Sequence, residues 1–438
     1  MLSIDVQNRI RQFNPWLLQP EKAGELIGRF LPDPYVRRDG EDKPLLSDRA
    51  TLLVGPRQAG KSTLVWSRLK PLAPDILFFN MEDILLRTGC ASAIDVADHI
   101  RREYPFIKAV FIDEIHYMEE AGLFVKGLVD AKLDISIWAT GSSSFHLLSR
   151  TRESLAGRAV RQRLFPFSME ELLRHLAPPN PAAERYAAET IVEHQLIFGS
   201  YPAVYLRDSV QEKQMLLTDL VEALILRDAS DLFRIKRPDA FRKLLLLLAG
   251  QIGSLVNLSE HASVCHVNVG TVGAYLDILD ESHIVKIIPP FAGGKRREII
   301  GAPKVFFVDN GIRNQLLDNF SPMTPLRVDQ GQIFENWAFS EIYKTISMQD
   351  HVKFWRSKAG AEVDFVIEKG EKIYALEVKC SFLKEPRIGK SARSFIDAYR
   401  PERFAILNMV LEQKIEIGYW PVSFITPRGL QEWLDVER

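Results

Sequence analysis

Thr51-Leu-Leu-Val54, then Gly55-Pro56-Arg57-Gln58-Ala59-Gly60-Lys61-Ser62-Thr63, then Leu64 to Leu69, form an apolar run, a glycine-bounded turn and a helical stretch in unbroken succession. The turn satisfies G-x-x-x-x-G-K-[ST] at every fixed position, in the strand-to-helix context that this pattern needs. Glycines let the backbone wrap closely around phosphate oxygens while its N–H groups point inward as a nest. The helix that follows adds the positive end of its dipole. Residues Gly55 to Thr63 are therefore the expected phosphate cradle, with Lys61 reaching the β- and γ-phosphates and the Ser62 hydroxyl on Mg²⁺. A chance glycine-rich turn does not explain why strand, loop and helix fall in register.

Working outward, short apolar runs at Ile76–Asn80, Ala109–Ile112 and Ile135–Thr140 alternate with helical stretches. Four such runs read as buried parallel strands of an α/β sheet. The run at 109 ends in Asp113-Glu114, which lies 52 residues after Lys61 (113 − 61). Asp113 is expected in the Mg²⁺ shell, and Glu114 is expected to polarise the attacking water. A strand ending in a solvated acidic turn is the plain alternative. The run at 135 ends in Thr140-Gly-Ser142-Ser-Ser144. Thr140 or Ser142 is expected to touch the γ-phosphate or the water, while a neighbouring serine caps the next helix.

Composition bounds what else the chain can be. With 438 residues, about three domains are expected. Hydrophobic residues at 46% and charged residues at 26% describe an ordinary globular chain, which excludes wholesale disorder, collagen and a coiled-coil rod. Fifty-six basic against 57 acidic residues leave a net charge of -1, so any hold on a polyanion must come from local patches. Cys90, Cys265 and Cys380 are far apart, which excludes a zinc ribbon or dithiol site and suits a reducing compartment. The start lacks an apolar signal core, and the longest strongly apolar run, Leu244–Ala249, falls far short of the roughly 20 residues a span needs. A cytoplasmic location is expected, with no membrane partner.

From about Phe167 the pattern turns helical. Residues 241–251, 258–265 and 269–283 read as three helices, followed by strand-like pieces at Ile284–Ile288 and Lys304–Val308 around the basic turn Gly293-Gly-Lys295-Arg296-Arg297. That order is the order of a winged helix. Ser321-Pro-Met-Thr-Pro325 reads as a linker. A helix at Gln332–Ile346 and period-2 strands at 353–356, 362–368 and 372–379 follow.

The combination GPRQAGKST, FIDEIH, ATGSSS and SLAGRA, with Gly199-Ser-Tyr-Pro202 and Asp309-Asn-Gly311, resembles bacterial and archaeal AAA-type ATPases that carry a C-terminal domain of unknown function. The resemblance runs from about residue 30 onward. It implies an N-terminal segment (1–48), an AAA+-like core on a parallel sheet (49–170), a helical lid (171–235), a winged helix (236–322) and a restriction-nuclease-like α/β domain (326–438). It also implies ATP at subunit boundaries of a homo-oligomer. Arg158 is then the favoured arginine finger acting on a neighbouring subunit, ahead of Arg150, Arg152, Arg161 and Arg163; a surface ion pair is its alternative.

In the last domain Asp364, Glu377 and Lys379 fit D-x(12)-E-x-K, similar to a PD-(D/E)xK nuclease, with Val363 standing where proline would be. If Lys369-Gly370 is a two-residue loop, Glu368 faces Glu371 and Asp364 faces Ala375. Glu377 is then the diagonal same-face neighbour of Asp364, at roughly 7–8 Å. Asp364 and Glu377, with Glu335 on the preceding helix, are expected to hold Mg²⁺ or Mn²⁺ beside Lys379. Basic residues at 295–297 and at Lys384, Arg387, Lys390 and Arg393 point to DNA, with Asn268, Thr271 and Tyr275 on the recognition helix. Two functions follow: a nucleic-acid enzyme in which ATP controls engagement or cutting of DNA, or an ATPase switch whose C-terminal modules only bind DNA or protein.

Overall fold

The computed structural model describes residues 1–141, 155–223, 235–293 and 301–435. These form two compact units, Met1–Pro166 and Phe167–Arg438.

The first unit is built on five parallel strands: β1 (Ala50–Val54), β2 (Ile76–Asn80), β3 (Ala109–Asp113), β4 (Ser136–Gly141) and β5 (Ala159–Arg163), in the order β2-β3-β4-β1-β5. Four match the expected runs to within a residue or two. The fifth was not expected, because Ala-Val-Arg-Gln-Arg has no apolar run; its residues are all half-buried, as suits an edge. Both faces of the sheet are packed. Leu52, Leu77, Phe79, Val110, Ile112 and Ile137 face one core, and Leu53, Phe78, Phe111 and Trp138 face the other. Alternate residues thus serve opposite layers.

β2 is the other edge, and the N-terminal segment closes it. A helix at Ile4–Phe13 ends at Asn14. The Asn14 amide donates to Phe78 O at 2.9 Å and accepts from Phe78 N at 2.6 Å, while Trp16 Nε1 donates to Ile76 O at 2.8 Å. Side chains thus take up the hydrogen bonds a further strand would make.

In the second unit, helices Pro238–Gly250, Leu258–Cys265 and Val269–Glu281 precede an antiparallel pair, β6 (Val285–Ile288) and β7 (Lys304–Phe307). The turn bearing Lys295, Arg296 and Arg297 lies outside the described residues. A six-stranded sheet follows: β8 (His351–Arg356), β9 (Glu362–Lys369), β10 (Lys372–Val378), β11 (Arg403–Leu407), β12 (Gln413–Ile417) and β13 (Trp420–Ile425), in the order β12-β13-β11-β10-β9-β8.

The β9–β10 register corrects the expected one. Lys372 pairs with Lys369 and Ile373 with Glu368, so the loop is Gly370-Glu371. Gly370 has φ +60° and is the only residue of the two with positive φ. That is the pattern of a type II′ turn, which puts glycine first. The slip is two residues, so each side chain keeps its face. Asp364 consequently stands opposite Glu377 rather than diagonal to it.

Segments that read as lid, wing and last domain share one body. The helix Gln330–Thr345 supplies much of the joint: Asn336 exchanges hydrogen bonds with Phe307 N and O at 2.7 and 3.0 Å, and Trp337 Nε1 donates to Gln195 Oε1 at 2.8 Å. Gly199-Ser200 and Asp309-Asn-Gly311 also meet there. The Asp309 carboxylate is buried and accepts from Ser200 N at 2.7 Å and Gly311 N at 2.8 Å. Replacing it leaves buried N–H donors unpaired. Asp309→Ala should lower stability by about 3 kcal/mol, measured as a lower thermal midpoint; Asp309→Asn, which keeps one acceptor, should lie between it and wild type.

Candidate nucleotide site and C-terminal carboxylate cluster

The strand order brings three strand ends together, because β4 lies between β1 and β3. After β1 the chain turns at Gly55, where a Cβ would lie 1.9 Å from Leu164 O, so no other residue fits. Gly60 has φ +93° and precedes the helix Lys61–Leu69, whose first N–H groups receive no side-chain cap. They are left for an anion. Lys61 Nζ lies 2.8 Å from Pro56 O and 3.1 Å from Gly55 O, over the loop's own carbonyls. Arg38, which sequence reasoning passed over, is buried beneath: it donates to Ala59 O at 2.8 Å and to Phe165 O at 2.6 Å.

Asp113 ends β3. Its Oδ1 accepts from Ser62 Oγ at 2.8 Å and from Thr140 Oγ1. Burial raises its pKa, against the pull of the Thr140 hydrogen bond. A hydroxyl and a carboxylate, both hard oxygen donors, suit Mg²⁺. The Thr140 hydroxyl also accepts from Glu114 N at 3.1 Å, so it ties β4 to β3. Ser142 lies outside the described residues. Glu114 takes left-handed angles, φ 53° and ψ 44°, a conformation costly for a non-glycine residue and concentrated at functional sites. His116, also without an expected role, places Nδ1 3.0 Å from Glu114 Oε2. Burial alone would raise the Glu114 pKa, but His116, Lys61 and Arg57 outweigh it and hold it down at about 2. Arg57 also donates to the Tyr117 hydroxyl at 3.2 Å.

Arg158 is not part of this cluster. It immediately precedes β5, at the end of the strands opposite the loop, and its Nε donates to Asp130 at 2.6 Å.

In the second unit the Asp364 carboxylate accepts from Val378 N at 2.7 Å, and Lys379 Nζ lies 2.7 Å from Glu377 Oε1. Burial raises the pKa of Asp364 and, with the charge of Asp364, that of Glu335. Glu335 lies within electrostatic reach of both Asp364 and Lys379. Its Oε1 lies 3.5 Å from Lys304 Nζ, which is also 2.5 Å from Glu362 Oε1. Neither Lys304 nor Glu362 was singled out, since Lys304 reads only as the start of a strand. Among the described residues no three acidic, histidine or cysteine side chains form a preformed metal cage. Mg²⁺, however, needs only one or two carboxylates and keeps several waters. Asp364 and Glu377 meet that need, and Glu377 Oε2 is buried without a hydrogen-bond partner.

Of the expected recognition helix, Asn268 caps its own N-terminus by accepting from Thr271 N at 2.7 Å. Tyr275 is buried edge-on against Phe241 at 5.3 Å and does not present its ring outward. Among the described residues no helix is long and apolar enough to cross a membrane.

Residues 47–173 match the family model of an AAA domain. Residues 189–323 match a domain of unknown function (DUF8612) and residues 330–423 another (DUF4143). The chain is 22% identical over 398 residues to an uncharacterized protein of Methanocaldococcus jannaschii, covering 89% of this chain and 87% of that one. It is 26% identical over 361 residues to an uncharacterized protein of Mycobacterium tuberculosis, covering 81% and 75%. Among solved structures, the Aeropyrum pernix ORC2 protein in ADPNP-ADP complexes aligns at 13% identity over 55% of this chain and 82% of its own, with a TM-score of 0.33; a likeness this faint carries no argument. The stretch of the first unit that carries the glycine-bounded loop thus matches an AAA domain.

Arg38 links two carbonyls that fix the loop from below. Arg38→Met should weaken ADP binding roughly tenfold, equivalent to about 1.4 kcal/mol, read by calorimetry. Unchanged affinity would show that the loop holds its shape without the arginine.

Proposed function

We propose that the chain hydrolyses ATP with Mg²⁺ in its first unit and uses that cycle to control how the second unit engages DNA. The observation that carries the reading is the convergence of Lys61, Ser62, Asp113 and Glu114 on one strand edge, with Asp113 tied to both β1's helix and β4. Bound Mg²⁺ would supply charge to the phosphates, held through Ser62 and Asp113. Lys61 would leave its loop carbonyls for the terminal phosphates and offset charge growing there. Glu114, kept ionised and oriented by His116, would accept a hydrogen bond from the attacking water and align it. Because Arg158 lies at the opposite end of the strands from the loop, any finger role falls on a second copy of the chain.

Support for DNA is electrostatic. Asn268, Gly270 and Thr271 line a concavity of about 590 Å³ together with Lys236, His266 and Arg237, whose guanidinium pairs with Asp239 at 2.7 Å; Lys236 is the cation this concavity offers a phosphate. The helix's far end is acidic: burial, with Asp277 and Asp280, lifts Glu281 to about 7, so that end faces away in this reading. In the C-terminal part, Lys384, Arg387, Lys390 and Arg393 are exposed. Lys390 opens the helix Lys390–Tyr399, whose first turn has no acidic residue, an N-terminus suited to an anion. Asp364 and Glu377 would there hold Mg²⁺ or Mn²⁺, and Lys379 would stabilise charge during phosphodiester cleavage.

The alternative, an ATPase switch whose second unit binds without cutting, is favoured by one observation: Lys304 already neutralises Glu335 and Glu362.

Two experiments test these readings. Glu114→Gln should bind ATP as wild type does yet hydrolyse it at least a hundredfold more slowly, whereas Lys61→Ala should lose turnover outright. Loss of ATP binding in Glu114→Gln would make that residue structural or a metal ligand. For the second unit, nicking of duplex, single-stranded or branched DNA with Mg²⁺ or Mn²⁺ should vanish in Asp364→Ala and persist in Lys61→Ala. Salt-sensitive DNA binding by wild type without any cleavage would establish the switch.

A further inference from the structure

Lys304 is the first residue of β7, outside the 330–423 stretch that carries the other members of the carboxylate cluster. Its side chain is only 4% exposed. Its ammonium lies 2.5 Å from Glu362 Oε1, 3.5 Å from Glu335 Oε1 and 5.3 Å from the centre of the Phe354 ring. A buried lysine is stable when carboxylates surround it, and both partners are supplied here. Glu362 is anchored in turn: its N–H donates to Ser391 Oγ at 3.2 Å, and Arg356 Nε stands 3.7 Å from its second oxygen.

The cluster therefore has two halves. In one, Glu335 and Glu362 share Lys304. In the other, Asp364 has committed one oxygen to Val378 N, Glu377 has committed Oε1 to Lys379, and Glu377 Oε2 has no hydrogen-bond partner although the residue is only 6% exposed. A buried carboxylate oxygen without a partner is costly and calls for a cation or an ordered water. Among the described residues, Glu377 Oε2 is the fully buried oxygen of this cluster without a hydrogen-bond partner.

We infer that Lys304 is the resident cation of the Glu335–Glu362 half, so that the cluster takes a single divalent ion, held by Asp364 and Glu377. Two-metal phosphodiesterase sites set their ions roughly 3.5–4 Å apart. A second ion would need the oxygens that Lys304 occupies and would meet its fixed positive charge. The inference rests on the metal-site reading proposed above. It revises the place of Glu335, which pairs with Lys304 and is not a ligand. It also makes the last domain depend on the preceding segment, because β7 supplies the charge that balances its helix and β9.

The test is a Mn²⁺ titration of the full chain without nucleotide, counting ions by calorimetry and by loss of the free-ion paramagnetic signal, with Asp113→Asn as the background to silence the first unit. One ion is expected, abolished by Asp364→Asn and unchanged within threefold by Glu335→Gln. Lys304→Met should admit a second ion, and Lys304→Arg should stay at one. Circular dichroism checks that each variant folds. Two ions in the chain with Lys304 intact, or loss of the single ion in Glu335→Gln, would overturn the inference whether or not Lys304→Met folds. One ion of unchanged affinity in a folded Lys304→Met would overturn it while leaving the metal site standing. No ion in any variant would remove the metal-site reading itself.

Discussion

Everything at the nucleotide site depends on where one half-buried carboxylate is held. Asp113 ends a central strand, and burial works against its charge. Two hydroxyls answer it, Ser62 from the helix after β1 and Thr140 from the end of β4. Because β4 separates β1 from β3, those two bonds bridge three parallel strand ends. The residues that carry chemistry are set by strand order rather than by loop conformation, and side chains on a rigid scaffold are held more exactly than those on a loop.

The second unit uses buried polar contacts differently. Asn336 mimics a strand neighbour for Phe307, Arg313 donates to Ala249 O at 2.9 Å and pairs with Asp329 at 2.5 Å, and Asp309 collects N–H groups from two chain segments. Such bonds add little net stability, because the same groups bond water in the unfolded chain. They are demanding in geometry, and so they fix which helix meets which strand. The short motifs Gly199-Ser200 and Asp309-Asn-Gly311, which mark the family resemblance, are explained by this packing rather than by chemistry.

Much of the first unit was legible because its signals are local. A glycine-bounded loop between strand and helix, and an apolar run ending in Asp-Glu, are each patterns confined to a few consecutive residues. What escaped was non-local or polar. β5 has arginines and glutamine where a buried strand would have valines, because it closes an edge. Arg38 lies 21 residues from Ala59 and 127 from Phe165, and nothing in its neighbourhood marks it. In the second unit the expected hairpin gave the right face and the wrong register, since both candidate loops contain Gly370 and moving the loop by one residue slips the pairing by two. Lys304 was invisible for the same reason as Arg38: its partners, Glu335 and Glu362, come from elements far along the chain.

Gly55 has a consequence beyond its turn. Its missing side chain lets Leu164 O approach the loop, Leu164 N donates to Val54 O at 2.9 Å, and Phe165 O is gripped by Arg38, which also grips Ala59. Leu164 and Phe165 are followed in the first unit only by Pro166, so the polypeptide leaves that unit beside the phosphate loop. Loop and exit are one mechanical piece. The Arg38 side chain joins the departing chain at Phe165 to the phosphate loop at Ala59, so a displacement of either is resisted by the other.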